Sequence, residues 1–309
     1  MKREFFLILF CLFVLTSANA QKGNELLVYA VKGSVMATYN NQESAVKIGK
    51  VLKPGTTITV KPGASMTMVC KQGKPLSVNK EGSFPVNKWK DSCKTGGNSI
   101  TASYFKYIWS EFYTRSPEHK EEEERLAVNA VTRSPSPIVF NPNRIRIEFN
   151  PGLDTLNYTG VDFPLSWTCY DYSGKYSFKL YDLKTGKAIY KDSLHRSIIN
   201  TSQFGHLLQE GKKYAWTVSA PKAATVKKRI LNYIRPATLE KFVDDLKLIS
   251  ADIPEEEGAR YFRIAYMLEQ HHYLAEALAY YKKATETAPE MEVYRDKLLR
   301  FKSDFWVID

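Results

Sequence analysis

The sequence predicts a multidomain α+β protein, and three observations carry that expectation. Short alternating segments parted by Gly, Pro and Asn run from residue 25 to 88 and again from 135 to 221. Helical periodicity fills residues 89–134 and 222–309. Prolines punctuate the changes, above all in "SPSP" at 134–137, where two prolines block both a helix and a central strand. A chain of 309 residues is long for one small domain. Its 44% hydrophobic content is ordinary for a folded protein and argues against disorder throughout.

Residues 1–20 read as a signal peptide. "MKRE" is a short basic start, "FFLILFCLFVL" is apolar, and "TSANA" ends in small residues before Gln21. Eleven apolar residues are too few for a bilayer span, which needs about 20. Cys11 lies mid-run after Phe10, where a lipoprotein cysteine does not sit. The expectation is an exported chain, periplasmic or extracellular, with no transmembrane segment after cleavage. Formal charge is +11, and loss of Lys2, Arg3 and Glu4 leaves +10. The lysines are scattered and accompany no nucleic-acid motif, so weak attraction to an anionic envelope surface is the expected consequence.

Export places the remaining cysteines, Cys70, Cys93 and Cys169, in oxidising surroundings. Three is odd, so at most one internal pair forms. Cys70–Cys93 is the expected pair because both flank one β-rich segment, and it would contribute about 3 kcal/mol by closing that loop. Three reduced, buried cysteines are the alternative.

Within residues 25–88, "LLVYAV", "SVMATY", "TTITV" and "SMTMVC" are strand candidates. In the last, Met66, Met68 and Cys70 share a face. The stretch "VLKPGTTITVKPGASMTMVC", with landmarks at Gly33, Pro54-Gly55, Gly63, Gly73 and Gly82, resembles the FecR-like domain, a small all-β module of bacterial envelopes. The membrane helix and cytoplasmic segment of that family's signalling members have no counterpart here, so the resemblance implies a fold and an address rather than signalling. Residues 89–134 read as a helical linker. Tyr104, Ile108 and Phe112 recur at helical spacing beside Phe105 and Trp109, a packing surface between domains. The "EEEE" run further on reads as a solvated face.

Residues 135–221 hold "FPLSWTCYD", a "YDLKTGKAIY" hairpin turning near Thr185-Gly186, and "EGKKYAWTVSA". With Trp167 early and Trp216 late, the segment resembles an immunoglobulin or fibronectin-type sandwich, the tryptophans filling the space between sheets. Carbohydrate stacking is the functional alternative for these rings.

In residues 222–309, "GARYFRIAYMLEQHHYLAEALAYYKKATETAP" places Tyr261, Ile264, Ala265, Leu268, Ala277, Tyr281, Ala284 and Pro289 at the signature positions of a roughly 34-residue helical hairpin. It resembles the tetratricopeptide repeat. Small Ala265 and Ala277 let two helices approach, Tyr261, Leu268 and Tyr281 fill the space around them, and Pro289 ends the second helix. Upstream, Val226, Ile230 and Tyr233, then Phe242, Leu246 and Ile249, suggest a degenerate first repeat broken at Pro236. "EMEVYRDKLLRFKSDFW" supplies a final capping helix. The resemblance implies a protein partner held along the first helix of the hairpin by Phe262, Arg263, Tyr266 and Gln270.

Catalytic chemistry has no named residues here. "SYFK" at 103–106 and "KTG" at 94–96 and 184–186 occur in the wrong order and in different modules for a penicillin-binding enzyme. His271 and His272 are adjacent and point about 100° apart on a helix, unlike an i, i+4 metal pair. No cofactor or metal is expected. The leading expectation is a non-catalytic exported adaptor or scaffold of the cell envelope that binds another protein. A glycan- or cell-wall-binding protein using its β-modules is the alternative, and a hydrolase with a dispersed site is a third.

Overall fold

The computed structural model describes residues 25–94, 99–115, 145–170, 172–223, 227–248 and 253–307. The expected signal peptide, the "EEEE" run, "SPSP", Val226 and Ile249 lie outside the described residues. The chain is mixed α+β and divides into two compact units, Met1–Ser116 and Pro117–Asp309.

The first unit has eight strands: β1 (Leu26–Lys32), β2 (Val35–Tyr39), β3 (Gln42–Ala45), β4 (Val51–Leu52), β5 (Thr57–Val60), β6 (Ser65–Cys70), β7 (Pro75–Val78) and β8 (Gly82–Pro85). They form two four-stranded antiparallel sheets in the orders β4-β1-β6-β7 and β3-β2-β5-β8. The period-two pattern sets the core: Leu26, Val28, Met66, Met68 and Cys70 from one sheet join Val35, Ala37, Ile58 and Val60 from the other. Helix α1 (Ile100–Thr114) starts where the Ser99 hydroxyl accepts the Ala102 N–H. It packs on β1 and β6, so Thr67 and Val69 are buried on the second face as well. Tyr29 meets this helix through a hydroxyl contact with Tyr104 (3.2 Å) and an edge contact with Phe105 (5.2 Å). The aromatic stripe read as an inter-domain linker surface is thus used inside the first unit. Gly73, at φ +82°, closes the β6–β7 turn, and a β-carbon there would overlap the Ala102 carbonyl oxygen. Cys70 and Cys93 are joined in a disulfide, with Cα atoms 5.6 Å apart, and Cys169 stands outside it.

The second unit begins with β9 (Arg146–Glu148), β10 (Thr155–Tyr158), β11 (Pro164–Ser166), β12 (Thr168–Tyr170), β13 (Tyr176–Asp182), β14 (Ala188–Leu194), β15 (Ile198–Asn200), β16 (Lys213–Ser219) and β17 (Arg229–Tyr233). A five-stranded sheet runs β10-β17-β16-β13-β14, and β11-β15 and β9-β12 form two-stranded ribbons. The β13–β14 hairpin turns at Gly186 (φ +69°), where Asp182 accepts the N–H groups of Lys184 and Thr185. Trp167 and Trp216 are 1% and 0% exposed, so neither offers a face to a sugar. Trp167 meets Tyr176 edge-on at 5.5 Å, and Trp216 meets Phe149 edge-on at 5.2 Å.

One element departs from expectation. Residues 229–233, read from Ile230 and Tyr233 as helical, form β17, hydrogen-bonded in parallel to β10 and antiparallel to β16. The β layers therefore extend past residue 221. Four helices follow: α2 (Pro236–Leu248), α3 (Glu257–Gln270), α4 (Leu274–Thr287) and α5 (Glu292–Phe305).

Candidate functional site

The helical region is built on an alanine seam. Ala265, Ala277 and Ala284 are fully buried, and Gly258 lies so close to Ala288 that an added β-carbon would come within 2.8 Å of the alanine side chain. Ile264, Leu268 and Tyr281 are core, as expected. Tyr261 is not: it is half-buried, donates its hydroxyl to Glu257 (2.6 Å) and lies 6.0 Å from the Tyr280 ring. The α4 helix ends at Thr287, two residues before Pro289. Glu269 ties three helices together, accepting from the Tyr281 hydroxyl (2.6 Å) and from Lys297 Nζ (2.9 Å).

Of the four residues expected to grip a partner, two are unavailable. Phe262 is fully buried, stacked 4.4 Å from Tyr294 of α5 and 5.5 Å from Tyr281. Arg263 is also fully buried; its guanidinium donates to both Glu255 carboxylate oxygens, one at 2.6 Å, and to the Leu246 carbonyl at 2.9 Å. The face that would line a groove in a longer repeat array is consumed at these positions by the flanking helices. Tyr266 is half-buried and Gln270 is exposed. Burial raises the Tyr266 phenol above its ordinary range, with the Glu269 charge adding to the effect.

The helices are fixed to the β layers at their other side. Asn157 in β10 donates its backbone N–H to the His272 carbonyl (2.9 Å) and its side-chain amide to the His271 carbonyl (2.8 Å), while Asn232 of β17 donates to Asn157 Oδ1 (2.9 Å). His272 takes a positive φ of 61° to make this turn. The His271 imidazole is held below its usual pKa by burial, with His272 adding to the effect, and its ring meets Phe242 edge-on at 4.7 Å. Phe163 packs against Phe301 and Phe305 of α5. These contacts anchor the α3–α4 turn and the end of α5, leaving Gln270 solvent-exposed.

At the same joint the Thr159 hydroxyl donates to Glu276, whose carboxyl is pushed above its ordinary value of 4.5 by burial, the Thr159 bond pulling the other way. The fold therefore prefers the neutral acid. Its contribution is complete below the free-carboxyl value and is lost as pH rises through the higher folded value. Glu276→Gln is expected to raise the melting temperature at about pH 8 relative to the parent, with the difference shrinking toward zero near pH 4. Thermal melts followed by circular dichroism across that range check it.

A concave feature lies at the end of α5, a cleft of about 260 Å³ against the β9–β12 ribbon. Glu148, Phe149, Trp167, Thr168, Asp304 and Trp306 contribute to its wall. No reading of the sequence pointed to it, because its halves lie more than a hundred residues apart. The nearest signal was the surplus aromatic at Trp306, one residue beyond the end of the last helix.

Among the described residues no group of three or more His, Cys, Asp or Glu side chains is arranged to hold a metal ion, and no helix is long and apolar enough to cross a membrane. Comparison with known protein families and with curated proteins returns no match. What the structure defines is the coarser class: a two-unit α+β chain with several largely antiparallel sheets and a helical C-terminal region.

Proposed function

We propose that the protein is an exported, non-catalytic scaffold of the bacterial cell envelope that binds a protein partner through its C-terminal helices. The observation that carries this reading is a firmly anchored helical layer with unused apolar surface. The two most exposed large apolar side chains among the described residues are Leu248 (70%) on α2 and Leu299 (57%) on α5. Between those helices in sequence, α3 presents Gln270 to solvent and Tyr266 partly so. Protein interfaces commonly combine such apolar anchors with a polar rim. The amended partner-binding set is therefore Tyr266 and Gln270 without Phe262 and Arg263. The Cys70–Cys93 bond fits an oxidising compartment, in keeping with the leader-like first twenty residues. The resemblances to FecR-like, immunoglobulin-like and tetratricopeptide modules favour a binding role over chemistry.

The test is affinity capture from native envelope with the parent and with a Gln270→Lys, Leu299→Glu double variant. Both substitutions fall at exposed positions and should leave the circular dichroism spectrum unchanged. The expected result is one protein enriched by the parent and lost, by about tenfold or more, with the variant. Equal enrichment by both would move the interface elsewhere.

A further inference from the structure

We infer that the outer face of the five-stranded sheet is a docking surface for an anionic phospholipid bilayer, with the tip of the β13–β14 hairpin as its apolar contact. This surface is separate from the helical partner surface proposed above, and its argument does not depend on that reading.

The first observation is where the charge sits. From Tyr172 to Tyr233 the chain carries ten lysines and two arginines against Asp182, Asp192 and Glu210, a net +9. The whole chain beyond residue 20 carries +10. A surplus scattered along the sequence is therefore gathered on one sheet and its loops.

The second observation is which face takes it. Phe178, Leu180, Trp216 and Val218 point into the core and are fully buried. Side chains alternate along a strand, so Ser177, Lys179 and Tyr181 of β13 face the other way, beside Thr217 and Ser219 of β16. Lys179 stands directly opposite Lys191 of β14, and Ser177 stands opposite both Ser193 and Ser219. Lys228, just before β17, holds its Nζ 4.1 Å over the Tyr181 ring. None of these positions is a carboxylate. Asp182 is held in the hairpin turn, and Glu210 lies in the loop before β16. Asp192 lies opposite the buried Phe178 and accepts from the Tyr190 hydroxyl (3.1 Å). Like charges directly opposite on a sheet are destabilising. Among the described residues neither Lys179 nor Lys191 has an ion-pair partner. An external anion relieves that repulsion.

The third observation is Leu183. It is 44% exposed at the hairpin tip, with Lys184 beside it and Lys187 across the turn. Its N–H donates to the Lys213 carbonyl (3.1 Å), so it borders the same sheet. An apolar side chain flanked by lysines can enter the headgroup boundary while the cations meet lipid phosphates. A soluble polyanion would use the lysines and gain nothing from the leucine, so the bilayer is the occupant that accounts for both.

The experiment sediments the full mature chain with phosphatidylcholine vesicles, alone or with about 30% phosphatidylglycerol, at about 50 mM and 500 mM salt. We expect binding to the anionic vesicles only, lost at the higher salt. Lys191→Glu with Lys228→Glu, both exposed, should weaken it by about twentyfold or more. Lys61→Glu with Lys80→Glu, exposed on the first unit, makes the same change in net charge and should weaken it by less than about threefold. Leu183→Ser should weaken it by about threefold or more while leaving retention on heparin unchanged. Circular dichroism confirms that each variant is folded. The inference is overturned if the parent ignores anionic vesicles, if heparin is bound and vesicles are not, if both lysine pairs weaken binding alike, or if the Lys191, Lys228 variant or Leu183→Ser binds vesicles like the parent.

Discussion

Glu255→Ala is expected to destabilise the second unit by about 3–5 kcal/mol. Arg263 is fully buried and its Glu255 partner has a side chain 4% exposed. The guanidinium makes a forked set of bonds to both carboxylate oxygens and one to the Leu246 carbonyl. Removing the carboxylate takes away the acceptor of these bonds from a guanidinium that solvent does not reach. The attraction in the intact pair offsets the cost of desolvating it, so replacing both members with apolar residues should be far milder. Arg263→Met with Glu255→Leu is expected to recover most of the loss. Urea denaturation of the single and double variants checks this. A single-variant loss below about 1 kcal/mol would mean that water reaches the pair. The functional consequence is local: the pair ties the segment just before α3 to Arg263 on α3, the helix that carries Tyr266 and Gln270.

The second large effect is expected at the disulfide. Cys70 and Cys93 are 0% and 4% exposed and 23 residues apart in sequence. Opening that loop in a double Cys→Ala variant should cost about 3 kcal/mol through the unfolded chain's added freedom. The expected observation is a lower melting temperature for the first unit, matched by reductant on the parent and absent when reductant is added to the variant. Cys169 stays as it is in both proteins. Equal stability of parent and variant would show that the bond contributes nothing to the fold.

These two features were not equally legible. The Cys70–Cys93 pairing followed from two cysteines flanking one β-rich segment. Arg263 was misread because an arginine has the same letter whether it lies in a groove or beneath a helix. Its acceptors, Leu246 and Glu255, belong to residues N-terminal to the hairpin, where the repeat template does not look. Phe262 failed in the same way, since its partner Tyr294 sits on α5. The strand β17 was hidden for a related reason. Ile230 and Tyr233 lie three apart, which suits a helix, but Leu231 is the residue buried between β10 and β16. A parallel pairing with Thr155–Tyr158, some 75 residues upstream, leaves no local trace. The alternation of Met66, Met68 and Cys70 was visible. The burial of Thr67 and Val69 on the other face was not, because α1 comes from a later part of the chain. Periodicity thus located most elements, while the contacts between them decided which side chains remained available to a partner.

The most direct measurement places a photoreactive amino acid at Gln270 in whole cells, with Lys191 on β14 as the exposed control. The account predicts a discrete crosslinked species from position 270 containing one envelope protein, and none from position 191. A blank lane at 270, or the same products from both positions, would contradict a scaffold that works through its helical tail.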